Sequence, residues 1–223
     1  MKKRKFLSAV LTLSILCSAM VPVAWANDAS VQAVESVNTQ GVSEEPTVTG
    51  GQSGVDYIFD GSTLTILTSK PMTISWNGGD GSVSGNIVVE HGVTANLTFN
   101  NVFIQPLEEE PTLSIEGNAV ANVVLKSNTK NYLEDVKIKG ELCLSGNGRL
   151  DCTNLGMSKQ EGKLKINDGE INASNYLAQN IVIDNGILYI GNSLYADNCT
   201  INGGFLQEPA ILSGSGQEWI DEI

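Results

Sequence analysis

LKINDGEINASNYLAQNIVIDNGILYIGNSLYADNCTINGGFL, residues 164–206, contains one short phrase three times. Leu164-x-Ile166-Asn167-Asp168-Gly169-x-Ile171 is followed by Ile181-x-Ile183-Asp184-Asn185-Gly186-x-Leu188, then by Cys199-x-Ile201-Asn202-Gly203-Gly204-x-Leu206. The steps between copies are 17 and 18 residues. The last two copies align without a gap, Ala178 on Ala196, Asn180 on Asn198, Ile183 on Ile201 and Gly186 on Gly204. A fixed period of this size marks a solenoid. Apolar and polar residues alternate within each phrase, which is the pattern of a strand rather than a helix.

Working back towards the N-terminus, Leu97-x-Phe99-Asn100-Asn101-Val102-x-Ile104 has the same form. Steps of 26, 19 and 22 residues lead from Leu97 to Val123, Leu142 and Leu164. The alternation predicts strands over 57–59, 63–67, 72–76, 86–90, 95–99, 102–105, 112–116, 122–126, 136–139, 141–145 and 149–152, besides those of the repeats. No window reads as an amphipathic helix. The fold class expected is all-β: a right-handed parallel β-helix with irregular turns of 17–26 residues. The hand follows from the near-universal hand of parallel crossovers. Asn and Gly mark the corners because both tolerate positive φ. An antiparallel β-sandwich would explain the Asn-Gly turns but not the ungapped repeat.

Four segments are expected. Residues 1–26 read as a secretory signal peptide, with Lys2, Lys3, Arg4 and Lys5 before an apolar run and Ala24-Trp25-Ala26 at its end. Cys17 does not make a lipoprotein box, because bulky Leu16 precedes it. Residues 27–53 read as a flexible linker, 54–206 as the β-helix, and 207–223 as a C-terminal cap or tail containing Pro209 and Trp219-Ile220. The strands over 57–76 are expected to cap the other end.

After cleavage at Ala26, nine basic residues face 25 acidic ones, a net charge of −16. Such a surface repels nucleic acid and anionic membranes. Three cysteines remain, Cys143, Cys152 and Cys199. Alternation turns Cys143 outward and Cys152 and Cys199 inward in different columns, so no disulfide is expected. No spacing suits zinc. The expected product is a secreted monomer whose mature chain does not insert into a membrane.

Residues 87–104, IVVEHGVTANLTFNNVFI, together with 122–129, NVVLKSNT, and 141–150, ELCLSGNGRL, resemble secreted carbohydrate-binding-domain-containing proteins of Gram-positive bacteria. These have a pectate-lyase-like right-handed parallel β-helix. The resemblance spans roughly residues 55–206. It implies a secreted or cell-surface protein that binds polysaccharide, with calcium a candidate cofactor. The chain departs from the group in lacking Gly-rich GAGIGGG-like repeats and wall-anchoring modules. No ligand residue transfers position by position.

The residues offer several chemistries. Sugar rings stack on flat aromatic faces, which nominates Tyr189, Tyr176, Tyr195, Tyr132 and Trp76 as carbohydrate-binding residues. Asp168, Glu170 and Asp184, near one corner in adjacent turns, are candidate calcium ligands; two of them would also be the carboxylates of a glycosidase. Arg149 with Asp151 is the one pairing that resembles a lyase base beside an acid, and its plain alternative is an exposed ion pair. The Glu108-Glu109-Glu110 loop and the only histidine, His91, read as surface features. The leading reading is a non-catalytic β-helix that binds polysaccharide or another surface polymer. The alternatives are an adhesive surface protein with protein partners, and a polysaccharide lyase.

Overall fold

Alternating short strands separated by corners leave each turn of chain one apolar stripe per strand, which only a neighbouring turn can cover. The computed structural model describes residues 45–78, 81–107, 110–157 and 161–207. Within them there is no helix, and the strands stack as a parallel β-solenoid. The signal peptide, residues 27–44 of the linker, Glu108 and Glu109, and the C-terminal segment from residue 208 lie outside the described residues.

Three faces build the solenoid. The first carries Met72–Trp76, 94–99, Val120–Leu125, Glu141–Ser145, Lys163–Ile166, Asn180–Ile183 and Asn198–Ile201, each paired in parallel with its successor. The second carries 102–105, 130–133, 149–152, 170–173, 187–190 and Phe205–Gln207. The third runs from Thr63–Ile66 through Asn86–Val89 and Leu113–Ile115 to 193–195. Neighbouring turns stand about 4.8 Å apart.

Like residues sit above like on every face. Met72, Leu97, Val123, Leu144, Ile166, Ile183 and Ile201 form one inward file. Leu64, Ile87, Leu113, Val136, Leu155, Tyr176 and Leu194 form another. These files make one continuous apolar core. Each such side chain contributes about 1.5–3 kcal/mol through burial.

The antiparallel sandwich is therefore excluded, and the expected file of Ile166, Ile183 and Ile201 is present. Two expectations are corrected. Val123 pairs with Leu144, and Leu142 pairs with Ala121, so the step from Val123 is two residues longer than the sequence suggested. A two-residue slip keeps every side chain on its own face, so alternation alone does not fix it. The folded part also begins inside the expected linker: Thr47–Thr49 runs antiparallel along Met72–Trp76. With Tyr57–Phe59, antiparallel to Thr63–Ile66, it covers the edge of the first turn. That covering is what an open parallel edge needs to avoid pairing with another chain.

Six polar residues are buried among those described, Asn131 and Thr112 completely. Asn131 is fully buried; its Oδ1 accepts from the Val102 amide at 3.0 Å and its Nδ2 donates to the Arg149 carbonyl at 3.1 Å. It thus bridges three successive turns. Outside, carboxamide ladders tie turn to turn. Asn122 donates to Asn96, Asn154 to Asp135, Asn175 to Asn154, Ser193 to Asn175, Asn198 to Asn180 and Asn202 to Asp184. In each, the later turn donates to the earlier one. At the corners Asn101, Asn118 and Asn128 take φ near +60°. Gly169, at φ +94°, turns the corner of a repeat phrase where a β-carbon would also press on the Gly146 carbonyl.

No disulfide joins the three described cysteines to one another. Cys152 is buried, and Cys199 packs partly on the core. Cys143 faces outward against Glu141, and desolvation first, then that carboxylate, pushes its pKa up to about 11.

Replacing Ile183 by alanine should cost about 2–5 kcal/mol, because rigid files above and below leave a cavity; urea unfolding measures it. Asn131→Leu should cost about 1–3 kcal/mol by stranding the Val102 amide and the Arg149 carbonyl. If both variants unfold at the wild-type midpoint, the core described here is wrong.

Among the described residues, four carboxyls are held below their ordinary pKa. The Gln52 amide lowers Asp56, the Thr63 amide lowers Asp60, the Lys139 ammonium lowers Glu116, and the Asn202 amide group lowers Asp184. A depressed folded pKa gives stability that is present above the unfolded value and lost as pH falls through the folded one. The melting temperature should therefore fall as pH drops below about 5 and continue falling towards about 3. Circular dichroism melts across that window test the sign.

Candidate functional site

Alternation on the second face turns Asn131, Leu150, Ile171 and Leu188 inward, with Leu133, Cys152, Ala173 and Ile190, and the residues between them outward. One outward file reads Phe103, Tyr132, Asp151, Asn172, Tyr189 and Gln207 up successive turns. The adjoining file reads Lys130, Arg149, Glu170, Ile187 and Phe205. Parallel pairing in register thus places two tyrosines on one line with an acid and an amide between them. Tyr189 meets exposed Phe205 edge-on, ring centres 6.1 Å apart. Tyr132, Asp151, Asn172, Tyr189 and Gln207 border an open hollow of about 380 Å³.

Arg149 holds the middle of this face. Its Nε donates to Asp151 Oδ1 at 2.7 Å and its Nη1 to Glu170 Oε1 at 2.9 Å. Asn172 Nδ2 donates to the same Glu170 oxygen at 3.2 Å. The Asp151 hydrogen bond raises the guanidinium pKa further, so Arg149 stays charged. The three groups are a third to two-fifths exposed, so their pairing orders the surface more than it stabilises the fold.

A second hollow, of about 500 Å³, lies beside the first at the corner between the first and second faces. Asn128, Asn147, Asp168 and Asn185 line it with Lys130 and Arg149.

Of the five aromatics expected to hold sugar, Tyr132 and Tyr189 share the file. Tyr176 and Trp76 do not belong to the site, each being only 1% exposed. Tyr176 occupies the inward file between Leu155 and Leu194, and its hydroxyl donates to the Asn180 carbonyl at 2.9 Å. Burial raises that hydroxyl's pKa well above its ordinary value. The sequence reading left 175–177 outside any strand, which put Tyr176 on a turn. Trp76 ends Met72–Trp76 on the same parity as Met72 and Ile74, and it packs edge-on to Phe59 with ring centres 5.6 Å apart. Tyr195 is half-buried on the third face and donates to Asp197 Oδ1 at 2.9 Å.

The three acids expected as calcium ligands do not converge. Asp184 accepts from Asn202 at 2.7 Å and pairs with Lys165 at 3.1 Å. Glu170 is engaged by Arg149, and Asp168 Oδ1 caps the Gly169 amide at 2.8 Å. Only Asp168 and Glu170 border the same hollow. Among the described residues, no group of three or more His, Cys, Asp or Glu is placed to hold a metal ion. The expected Arg149–Asp151 ion pair is present, extended by Glu170. His91 is exposed at its turn.

Sequence reasoning missed Asn172, Gln207 and the strand over 130–133. Their signal was the register: once Arg149, Glu170 and Ile187 are superposed, the residues two positions on are Asp151, Asn172 and Tyr189.

Comparison with protein-family models, with curated proteins and with solved structures gives no match.

Proposed function

We propose that this chain is a secreted, non-catalytic β-solenoid that binds extracellular polysaccharide along its second face. The observation that carries the reading is the file Tyr132, Asp151, Asn172 and Tyr189, with Gln207 next in line. Aromatic rings offer apolar faces to the C–H side of a sugar, while carboxylate and amide oxygens take its hydroxyls. Tyr132 and Tyr189 stand three turns apart, about 14 Å at the usual spacing of parallel strands. That span suits a polymer rather than a monosaccharide. The resemblance to Gram-positive carbohydrate-binding proteins supports the same reading and a location outside the cell.

Binding is preferred to lyase chemistry on physical grounds. A base must be able to lose its proton and reach the substrate. Arg149 is protonated and spans two carboxylates.

Tyr189→Ala should weaken polysaccharide binding about tenfold, the loss of one ring-stacking anchor. Tyr176→Ala should lower the melting temperature instead. Affinity electrophoresis against a panel of soluble polysaccharides, with a melt of each variant, reads both. A wild-type chain that retains protein partners but no polysaccharide would replace this reading with the adhesive one.

A further inference from the structure

Several carboxamides along the faces of this solenoid bond within it. Asn96 and Asn122, Asn154 and Asn175, and Asn180 and Asn198 bond to one another or to backbone from turn to turn. One file differs. Asn128, Asn147, Asp168 and Asn185 each precede by two residues a position of the second face that is superposed on the next, namely Lys130, Arg149, Glu170 and Ile187. They therefore occupy one corner on four successive turns. All four are exposed, and all four line the hollow of about 500 Å³. Among the described residues they make no side-chain hydrogen bond to one another; the bond shown for the file is Asp168 Oδ1 to the following Gly169 amide.

We infer that this corner file is a neutral-glycan subsite, in which Asn128, Asn147, Asp168 and Asn185 hydrogen-bond the hydroxyls of an uncharged hexose polymer laid along the solenoid axis. The inference rests on the proposed polysaccharide reading and names its ligand class and a second contact line. A carboxamide both donates and accepts, as a hydroxyl does, and carries no charge. The turn spacing of about 4.8 Å is close to the advance per residue of an extended β-linked hexose chain, so each sugar meets one amide. The charges point away from a uronate. Lys130 and Arg149 in the hollow are matched by Asp168 and Glu170, Asp151 also holds Arg149, and the formal net charge of the whole chain is −12. A polyanion approaching this surface is repelled.

The test uses the mature chain with Asn147→Ala/Asn185→Ala, Tyr189→Ala and, as a control on the third face, Asn154→Ala. The probes are soluble neutral β-glucan, β-mannan and polygalacturonate, titrated calorimetrically at low salt and at about 0.5 M salt, where exposed charge interactions are screened. The expected result is binding of a neutral polymer that salt leaves unchanged. The corner double variant should weaken it about tenfold or more, and Asn154→Ala should leave it intact. Neutral binding lost in Tyr189→Ala but kept in the corner variant overturns the inference and leaves the polysaccharide reading standing. Binding of polygalacturonate alone does the same. If no polymer binds the wild-type chain, the reading and the inference both fall.

Discussion

Parallel pairing in register is the constraint on which this molecule depends. A strand at the centre of a parallel stack has neighbours on both sides, and its inward residues are covered by the equivalent residues of the turns above and below. Ile183 between Ile166 and Ile201 is the simplest instance. Because the side-chain period is two, fixing one inward residue also fixes which residues face water. The outward files of the second face are therefore not a separate design. Tyr132 and Tyr189 share a line because Leu133 and Leu188 are locked into the core.

The same dependence explains what could be read from the sequence. In the last three copies the period is nearly constant, so the files follow from superposing the text. Between Leu97 and Leu164 the turns vary in length, and parity survives while register does not; hence the misplaced partner of Val123. The third face was the least legible. Its later strands, 154–155, 175–177 and 193–195, contribute few inward residues each, too short a run for alternation to stand out. That is why Tyr176 read as a surface residue. Trp76, by contrast, followed the parity of Met72 and Ile74 and could have been placed inward. Asn131 could not: a polar residue on an inward position makes sense only once Val102 and Arg149 are known to lie beside it.

For the candidate site, residue types were legible and grouping was not. Tyr189, Asp151 and Arg149 were each singled out, but their common face depends on pairings between residues about twenty positions apart. The acids show the converse. Asp168, Glu170 and Asp184 are close in sequence register, yet each is claimed by a different neighbour, and Asp184 turns to Lys165 on the adjoining face. Proximity along a solenoid does not by itself create a shared coordination sphere.

The ladders that join one turn to the next share a sense: Asn122, Asn154, Asn175, Ser193, Asn198 and Asn202 all give their hydrogen to the turn before. Where two coils are so joined, the earlier presents an oxygen and the later a hydrogen, like links with matching hook and eye. A whole coil such as 181–198 could be copied so that Ile181, Ile183 and Asn198 land on their own kind, while Asp184 would meet a second carboxylate. The length of this molecule is therefore adjustable in units of one coil, with one carboxylate pair to relieve at the new joint.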